Sequence, residues 1–243
     1  MQGGNMPKVY FVGAGPGDPD LITIKGERLL SRADVLLYTG SLVNPTLIEN
    51  SPARIKRDSH GMKLEEIVSL MADHARRGSL VIRLHSGDPS LYGAIVEQMQ
   101  GLALAGVDYE VVPGVSSLFA AAAALRTQLT LGGVAESVII TRPAGATLDR
   151  DEIETLSAHR ATMVFFLGTG HLEDITSRLR CPPETPAAVV FHASWPDQKI
   201  VKGTVSDIAR HAREAGIEKT ALLIVGGVLD PLPSGHHRSH LYS

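Results

Sequence analysis

Several things are scarce or missing in this chain, and each absence narrows what it does. One cysteine, Cys181, occurs in 243 residues. An intrachain disulfide is therefore excluded, and a reducing, cytoplasmic setting is expected. Pro182 and Pro183 follow that cysteine, and no histidine or acid stands at a motif spacing from it, so it does not read as a nucleophile. Positive charge is not in excess: the net charge is −3 with histidines neutral, and the Lys and Arg residues are scattered. That argues against a nucleic-acid footprint. The most apolar run, SLFAAAAAL at 117–125, falls far short of the ~20 residues a membrane span needs, so no membrane partner is expected. The opening MQGGNMPK lacks the charged-then-apolar pattern of a signal peptide. There is no G-x-x-x-x-G-K-[ST] loop, no H-E-x-x-H, no paired C-x-x-C and no G-x-S-x-G elbow. A P-loop hydrolase, an evident metal site and a hydrolase nucleophile all drop out. The three histidines of the tail SGHHRSHLYS read as a frayed polar terminus rather than a metal site.

What is present is a repeated alternation of strand and helix patterns. Short β-branched runs at 8–15, 34–40, 80–88 and 108–114 read as strands. Helices are expected at 20–33, at 63–78 (apolar Leu64, Ile67, Val68 and Met71, stopping at Gly78) and at 90–106. Such alternation predicts a mostly parallel sheet covered by helices. Pro113 and Gly114 in VVPGVSS mark a joint, followed by a helix of small residues. Beyond it, strands are expected at 136–145, 161–170, 186–194, 199–205 and 220–229. WPDQ (195–198) is turn-like and would let the strand at 199–205 pair antiparallel with its predecessor. A helix is expected at 206–216 with Ser206 as N-cap. The fold class is α/β, with an N-terminal domain at 1–114 and a mixed-sheet C-terminal domain at 115–243. No internal repeat or low-complexity linker is found.

Chemistry is expected in loops at the carboxyl ends of strands, where open α/β sheets bind ligands. GAGPGD (13–18) has Gly13, Gly15 and Gly17 at G-x-G-x-G spacing, not the dinucleotide G-x-G-x-x-G. Pro16 removes a backbone N–H a pyrophosphate would use, and Asp18 would repel one. The loop keeps glycine's close backbone approach and suits a neutral or cationic ligand. In HSGDPSLYG (85–93), Asp88 reads as a helix cap, with Pro89 as first helical residue and Gly87 making the turn; the Gly87 backbone would let carbonyls meet a ligand ammonium. Ser116 and Ser117 read equally as a helix start or as hydroxyls for a ligand. His85 reads equally as a structural histidine or a substrate contact. His192, Trp195 and Tyr38 read as packing residues. From the residues alone the reading ends at a two-lobed α/β protein with a glycine-rich cleft for a small non-phosphate ligand.

Five stretches, GAGPGDPDLIT-KG, YTGSLV, HSGDPSLYGAI-EQM, VVPGVSS-FAAAAA and ASWPDQKIV-GT, closely resemble the precorrin-4 C11-methyltransferases of cobalamin biosynthesis, within the tetrapyrrole methyltransferases. The resemblance spans roughly residues 8 to 230. It implies S-adenosylmethionine as methyl donor, bound folded in a cleft between two α/β domains. It also implies a homodimer and a precorrin-4 or cobalt-precorrin-4 substrate. Carried over by position, the cofactor residues would be Pro16, Ser86, Gly87, Asp88, Leu91, Ser116, Ser117, Leu167 and Ala193, with Tyr92, Gly227 and Val228 as further walls. Gly15 and Gly17 would line the tetrapyrrole trough. Arg57, His60, His85 and Arg142 are candidates for substrate carboxylates, whereas Lys56 reads as a solvated surface charge. Uroporphyrinogen-III methyltransferases carry an aspartate, proposed as catalytic base, after the tyrosine of the second strand. Here Thr39 and Gly40 follow Tyr38, which leaves no evident general base there. The alternatives are a related methyltransferase acting at another ring position and a non-catalytic S-adenosylmethionine-binding protein.

Overall fold

The computed structural model describes residues 8–145, 148–230 and 236. Its contacts divide the chain into two compact units, Met1–Ser117 and Leu118–Ser243. Most of the histidine-bearing tail lies outside the described residues. Among the described residues, no cluster of three or more His, Cys, Asp or Glu is placed to hold a metal. No helix among them is long and apolar enough to cross a membrane.

The first unit is an all-parallel sheet of five strands: β1 (Lys8–Gly13), β2 (Val35–Tyr38), β3 (Ile55–Asp58), β4 (Val81–His85) and β5 (Asp108–Val112). They lie in the order β3-β2-β4-β1-β5. Both faces are apolar, as a sheet covered on both sides requires. Alternate residues Val12, Leu36, Ile82 and Leu84 face one layer, with Leu30 of α1 (Ile24–Leu30) and Leu47 of α2 (Pro45–Asn50). Val9, Phe11, Leu37 and Val81 face the other, against Ile67, Met71 and Ala75 of α3 (Leu64–Arg76) and Leu102 of α4 (Val96–Leu104). The Glu66 carboxylate reaches back to the Lys63 N–H at 3.0 Å and closes the first turn of α3. Where α3 and α4 meet, a Cβ on Gly101 would stand 2.8 Å from Val68 Cγ2, so the missing side chain sets their approach.

The second unit carries a mixed sheet in the order β6-β7-β10-β8-β9: β6 (Val138–Thr141), β7 (Thr162–Phe165), β8 (Pro186–Phe191), β9 (Lys199–Thr204) and β10 (Ala221–Val225). β6 and β7 are parallel, β10 runs antiparallel between β7 and β8, and β8 and β9 form the expected antiparallel pair. The alanines of α5 (Ser117–Leu125) cover Val164, Ala188, Val190 and Ile224. Their small size brings the helix close to the sheet. The opposite face is closed by α6 (Ile153–Ser157), α7 (Leu172–Arg178) and α8 (Ile208–Glu214).

Several expectations need correcting. Helices α2, α6 and α7 and strand β3 are absent from the sequence reading. α2, α6 and α7 have five to seven residues each, too short for a helical period to stand out. The helix expected at 90–106 starts at Val96, because Tyr92 (φ 57°) and Ala94 (φ 48°) hold left-handed backbone. Asp88 therefore caps no helix. The helix expected at 20–33 is confined to Ile24–Leu30, after a short 3-10 turn at Pro19–Leu21. The helix expected at 206–216 begins at Ile208 with Asp207, not Ser206, at the N-cap. The Asp207 carboxylate instead accepts from the Thr204 N–H at 2.7 Å.

Candidate functional site

In the first unit every parallel strand ends on the same edge, so its loops gather there. Three glycines make the gathering possible. A Cβ on Gly13 would lie 2.5 Å from Gly114 Cα and 2.7 Å from Gly87 O, and one on Gly114 would lie 2.2 Å from Gly87 O. Main chain packs on main chain where β1, β4 and β5 end. Gly15 and Gly87 exchange backbone hydrogen bonds of 3.3 and 2.8 Å, and the Ala14 N–H donates to His85 O at 2.7 Å. The close approach anticipated for the first loop thus serves the protein's own backbone first. Gly15, Pro16 and Gly17 are buried beside this contact, and Gly17 O accepts from Asn44 Nδ2 at 2.7 Å. Sequence reading names Gly87 for its turn but not Gly13 and Gly114 as its steric partners.

Asp88 organises the neighbouring loop. Its Oδ1 accepts from the Ser90 N–H (2.8 Å) and the Ser90 hydroxyl, and its Oδ2 accepts from the Gly114 N–H (2.8 Å). Burial alone would raise this carboxyl, but the bonds from Ser90 and Gly114 outweigh it and hold it below the ordinary value. One side chain therefore ties the loop after β4 to the loop after β5. Ser86 and Leu91 are half-buried, and Tyr92 is exposed. Ser116 is buried and Ser117 opens α5. A Cβ on Gly87 (φ 62°) would point toward Ser116 Cα and Ser117 N, 3.8 and 3.9 Å away. The structure brings Gly15, Pro16, Gly17, Ser86, Gly87, Asp88, Leu91, Tyr92, Ser116 and Ser117 to this one edge.

The candidate cations are spread more widely. Arg57 is exposed on the edge strand β3, next to exposed Lys56, and His60 is exposed in the turn that follows. His85 is 3% exposed, and its Nε2 has no hydrogen-bond partner among the described residues. Burial, with Arg83 as a second cause, pushes its pKa down to about 3, so the ring is neutral and presents no positive charge to a carboxylate. A carboxylate does stand near Tyr38, although the sequence shows none after it. Asp58 Oδ1 accepts from the Gly40 N–H at 3.1 Å and the His60 N–H at 2.9 Å. Only the pairing of β2 with β3 places it there, which is why sequence reading misses it.

In the second unit, β6, β7 and β8 all end on one edge of the sheet, which sets Arg142, Leu167 and Ala193 just beyond it. Four non-glycine residues with left-handed backbone, Leu167, His192, Ser194 and Thr220, also cluster at this edge. Such conformations cost about 1–3 kcal/mol each and concentrate at functional sites. Leu167 is 64% exposed, whereas Ala193 is buried. The His192 ring stacks on Phe191 at 3.8 Å and its Nδ1 meets the Asp197 carboxylate at 3.0 Å, as a packing role requires. Gly227 and Val228 follow β10, which runs the other way. They leave the sheet at its opposite edge, beyond a five-residue strand of roughly 15 Å. The structure does not bring them together with Leu167 and Ala193.

An all-parallel sheet with a glycine-packed carboxyl edge, joined in sequence to a mixed α/β unit with a strained loop edge, defines a two-unit α/β protein built to present loops to a ligand. The chain belongs to the tetrapyrrole (corrin/porphyrin) methylases, whose family model matches residues 8–209. It is 50% identical over 233 residues to the cobalt-precorrin-4 C(11)-methyltransferase of Methanocaldococcus jannaschii, covering 93% of this chain and 90% of that one. Among solved structures it is similar to a cobalamin biosynthetic enzyme, cobalt precorrin-4 methyltransferase. The TM-score there is 0.89 at 44% identity, with 93% of this chain and 97% of the other covered. It is also similar to the uroporphyrin-III C-methyltransferase of Thermus thermophilus complexed with S-adenosylhomocysteine, at a TM-score of 0.78 and 34% identity over 91% and 98% of the two chains.

Proposed function

We propose that this chain methylates C11 of precorrin-4, in its metal-free or cobalt form, with S-adenosylmethionine as donor, within cobalamin biosynthesis. The observation that carries the reading is the gradient of likeness. Identity reaches 50% with a C11-methyltransferase over nearly the full length of both chains, and falls to 34% with a relative named for uroporphyrin.

The donor supplies an electrophilic methyl on a sulfonium; the chain's part is to hold, orient and shield. On the N-terminal unit the residues for the donor are Pro16, Ser86, Gly87, Asp88, Leu91, Tyr92, Ser116 and Ser117. The space at Gly87 that a Cβ would occupy, beside Ser116 and Ser117, fits a ligand laid against main chain. Asp88 acts at one remove: its carboxylate is committed to Ser90 and Gly114, so it shapes the loop and leaves backbone carbonyls to accept from an ammonium. On the C-terminal unit, taken by itself, the candidates are Leu167 and Ala193 at its strained loop edge. Holding donor and acceptor carbon in line can contribute ~7–11 kcal/mol to lowering the barrier. Arg57 and His60 would meet the substrate's carboxylates. The active species would be a homodimer, which sedimentation can test.

Incubation with S-adenosylmethionine and a precorrin-4-generating system should add one methyl to the tetrapyrrole, read by mass spectrometry; no mass gain would count against the assignment. Calorimetry should detect S-adenosylhomocysteine binding. Asp88→Ala removes three hydrogen bonds from the loop and should weaken that binding at least about tenfold, the equivalent of ~1.4 kcal/mol.

A further inference from the structure

The N-terminal unit buries one polar cluster that the glycine-packed edge does not use. Arg83, 3% exposed, sits on β4 between Phe11 and Leu37 of the adjacent strands. Its Nε donates to Gln98 Oε1 at 3.0 Å, and Gln98 Nε2 donates to Ala94 O at 3.0 Å. Gln98 is itself 5% exposed on α4. Arg83 Nη1 has no hydrogen-bond partner among the described residues. Burying a guanidinium with one neutral side-chain bond, and with Asp58 as its opposing charge, is still costly because burial outweighs that attraction, so the cation should return something a neutral residue would not.

What it returns is orientation. A side-chain amide can flip and present either its oxygen or its nitrogen. A guanidinium only donates, so Gln98 must turn Oε1 toward Arg83 and Nε2 away from it. Nε2 then meets the carbonyl of Ala94, which together with Tyr92 holds the left-handed backbone of the turn before α4. That turn carries Leu91 and Tyr92.

We propose that Arg83 and Gln98 are positioning residues: Arg83 fixes the Gln98 amide, and Gln98 Nε2 locks the strained turn at 91–95 and so the placement of Leu91 and Tyr92 toward the ligand. The ligand's identity rests on the proposed function; the locking of the turn does not.

The test uses the full chain with Gln98→Leu and Gln98→Glu. The carboxylate that Gln98→Glu introduces still accepts from Arg83 and gains an ion pair with it, but offers no donor to Ala94 O. Amide exchange is followed by mass spectrometry in peptides covering 81–85 and 91–96, and S-adenosylhomocysteine affinity by calorimetry. Both variants should speed exchange at 91–96 about tenfold, the loss of one part-buried hydrogen bond, and weaken S-adenosylhomocysteine to a similar degree. In Gln98→Glu, exchange at 81–85 should stay at the wild-type rate. Wild-type exchange at 91–96 in Gln98→Glu would overturn the proposal. Equal acceleration in both peptides would also overturn it, because the pair would then be merely structural. If wild type binds no S-adenosylhomocysteine, the proposed function fails, and the exchange comparison still decides the locking.

Discussion

Lowering the pH from 7 to 5 should destabilise the N-terminal unit through His85 alone by about 2 kcal/mol. The ring is 3% exposed, lies 6.0 Å from the Phe11 ring, and has the Arg83 guanidinium as a charged neighbour. Burial first, and Arg83 second, hold its folded pKa at about 3, against 6.5 in the unfolded chain. Between those values the unfolded state takes up a proton that the folded state refuses. Stability is therefore complete above about pH 6.5 and falls as the pH drops toward 3. At pH 5 the difference in protonation is worth ~1.5 pH units, or about 2 kcal/mol. That corresponds to a fall of roughly 1 M in a urea midpoint, for m-values of ~1–3 kcal/mol per molar. Nine other histidines occur in the chain, so the informative quantity is the difference between wild type and His85→Gln, which cannot take up the proton. Exchange of the amides at 81–85 reports opening of this unit without the second. Wild type should lose protection there between pH 7.5 and 5, after correction for the intrinsic pH dependence of exchange, and His85→Gln should lose about 2 kcal/mol less. Coincident pH profiles for the two proteins would refute the reasoning.

Two further expectations follow from the same geometry. Gly13→Ala should destabilise the chain by more than ~3 kcal/mol, because its Cβ meets the Gly114 and Gly87 backbones at 2.5 and 2.7 Å. Gly106→Ala, with nothing within 4 Å and only a positive φ of 68° to satisfy, should cost about 1 kcal/mol; similar urea midpoints for the two would refute the steric account. In the second unit, the side chain of Asp151 is 2% exposed. The Arg178 guanidinium first, then the Ala144 and Ile153 N–H groups, hold its carboxyl at about 2 against the opposing effect of burial. Its contribution of about 2 kcal/mol is present above pH 3.8 and is lost as the pH falls through 2. Asp151→Asn should lower the urea midpoint at pH 7 and leave the variant less sensitive to acid than wild type.

Much is legible from the residues because the signals are local. Short β-branched and apolar runs mark nine of the ten strands among the described residues, and the Val-Val-Pro-Gly stretch lies close to where the two units part. WPDQ marks the hairpin of β8 and β9 because turn chemistry is written in consecutive residues. The glycines of the first loop read correctly for backbone approach, and the mismatch with a dinucleotide fingerprint needs no structure.

The rest requires the fold, for physical reasons. The Gly13–Gly87–Gly114 contact joins three strands that pairing alone brings side by side. Asp88 reads as a helix cap until Gly114, twenty-six residues away, is seen to donate to it. Tyr92 and Ala94 belong to a sequence that favours helix, and the carbonyl bond from Gln98 accompanies a strained turn there instead. Arg83 and His85 look like ordinary polar interruptions of a strand until both faces of the sheet are covered, and burial then sets their chemistry. The resemblance carries Gly227 and Val228 over as walls of the cofactor site, and only the antiparallel course of β10 shows that they leave the sheet at the edge opposite Ala193. Local propensity and pattern are short-ranged and so survive in the sequence; steric closeness, desolvation and strand direction exist only once distant segments meet.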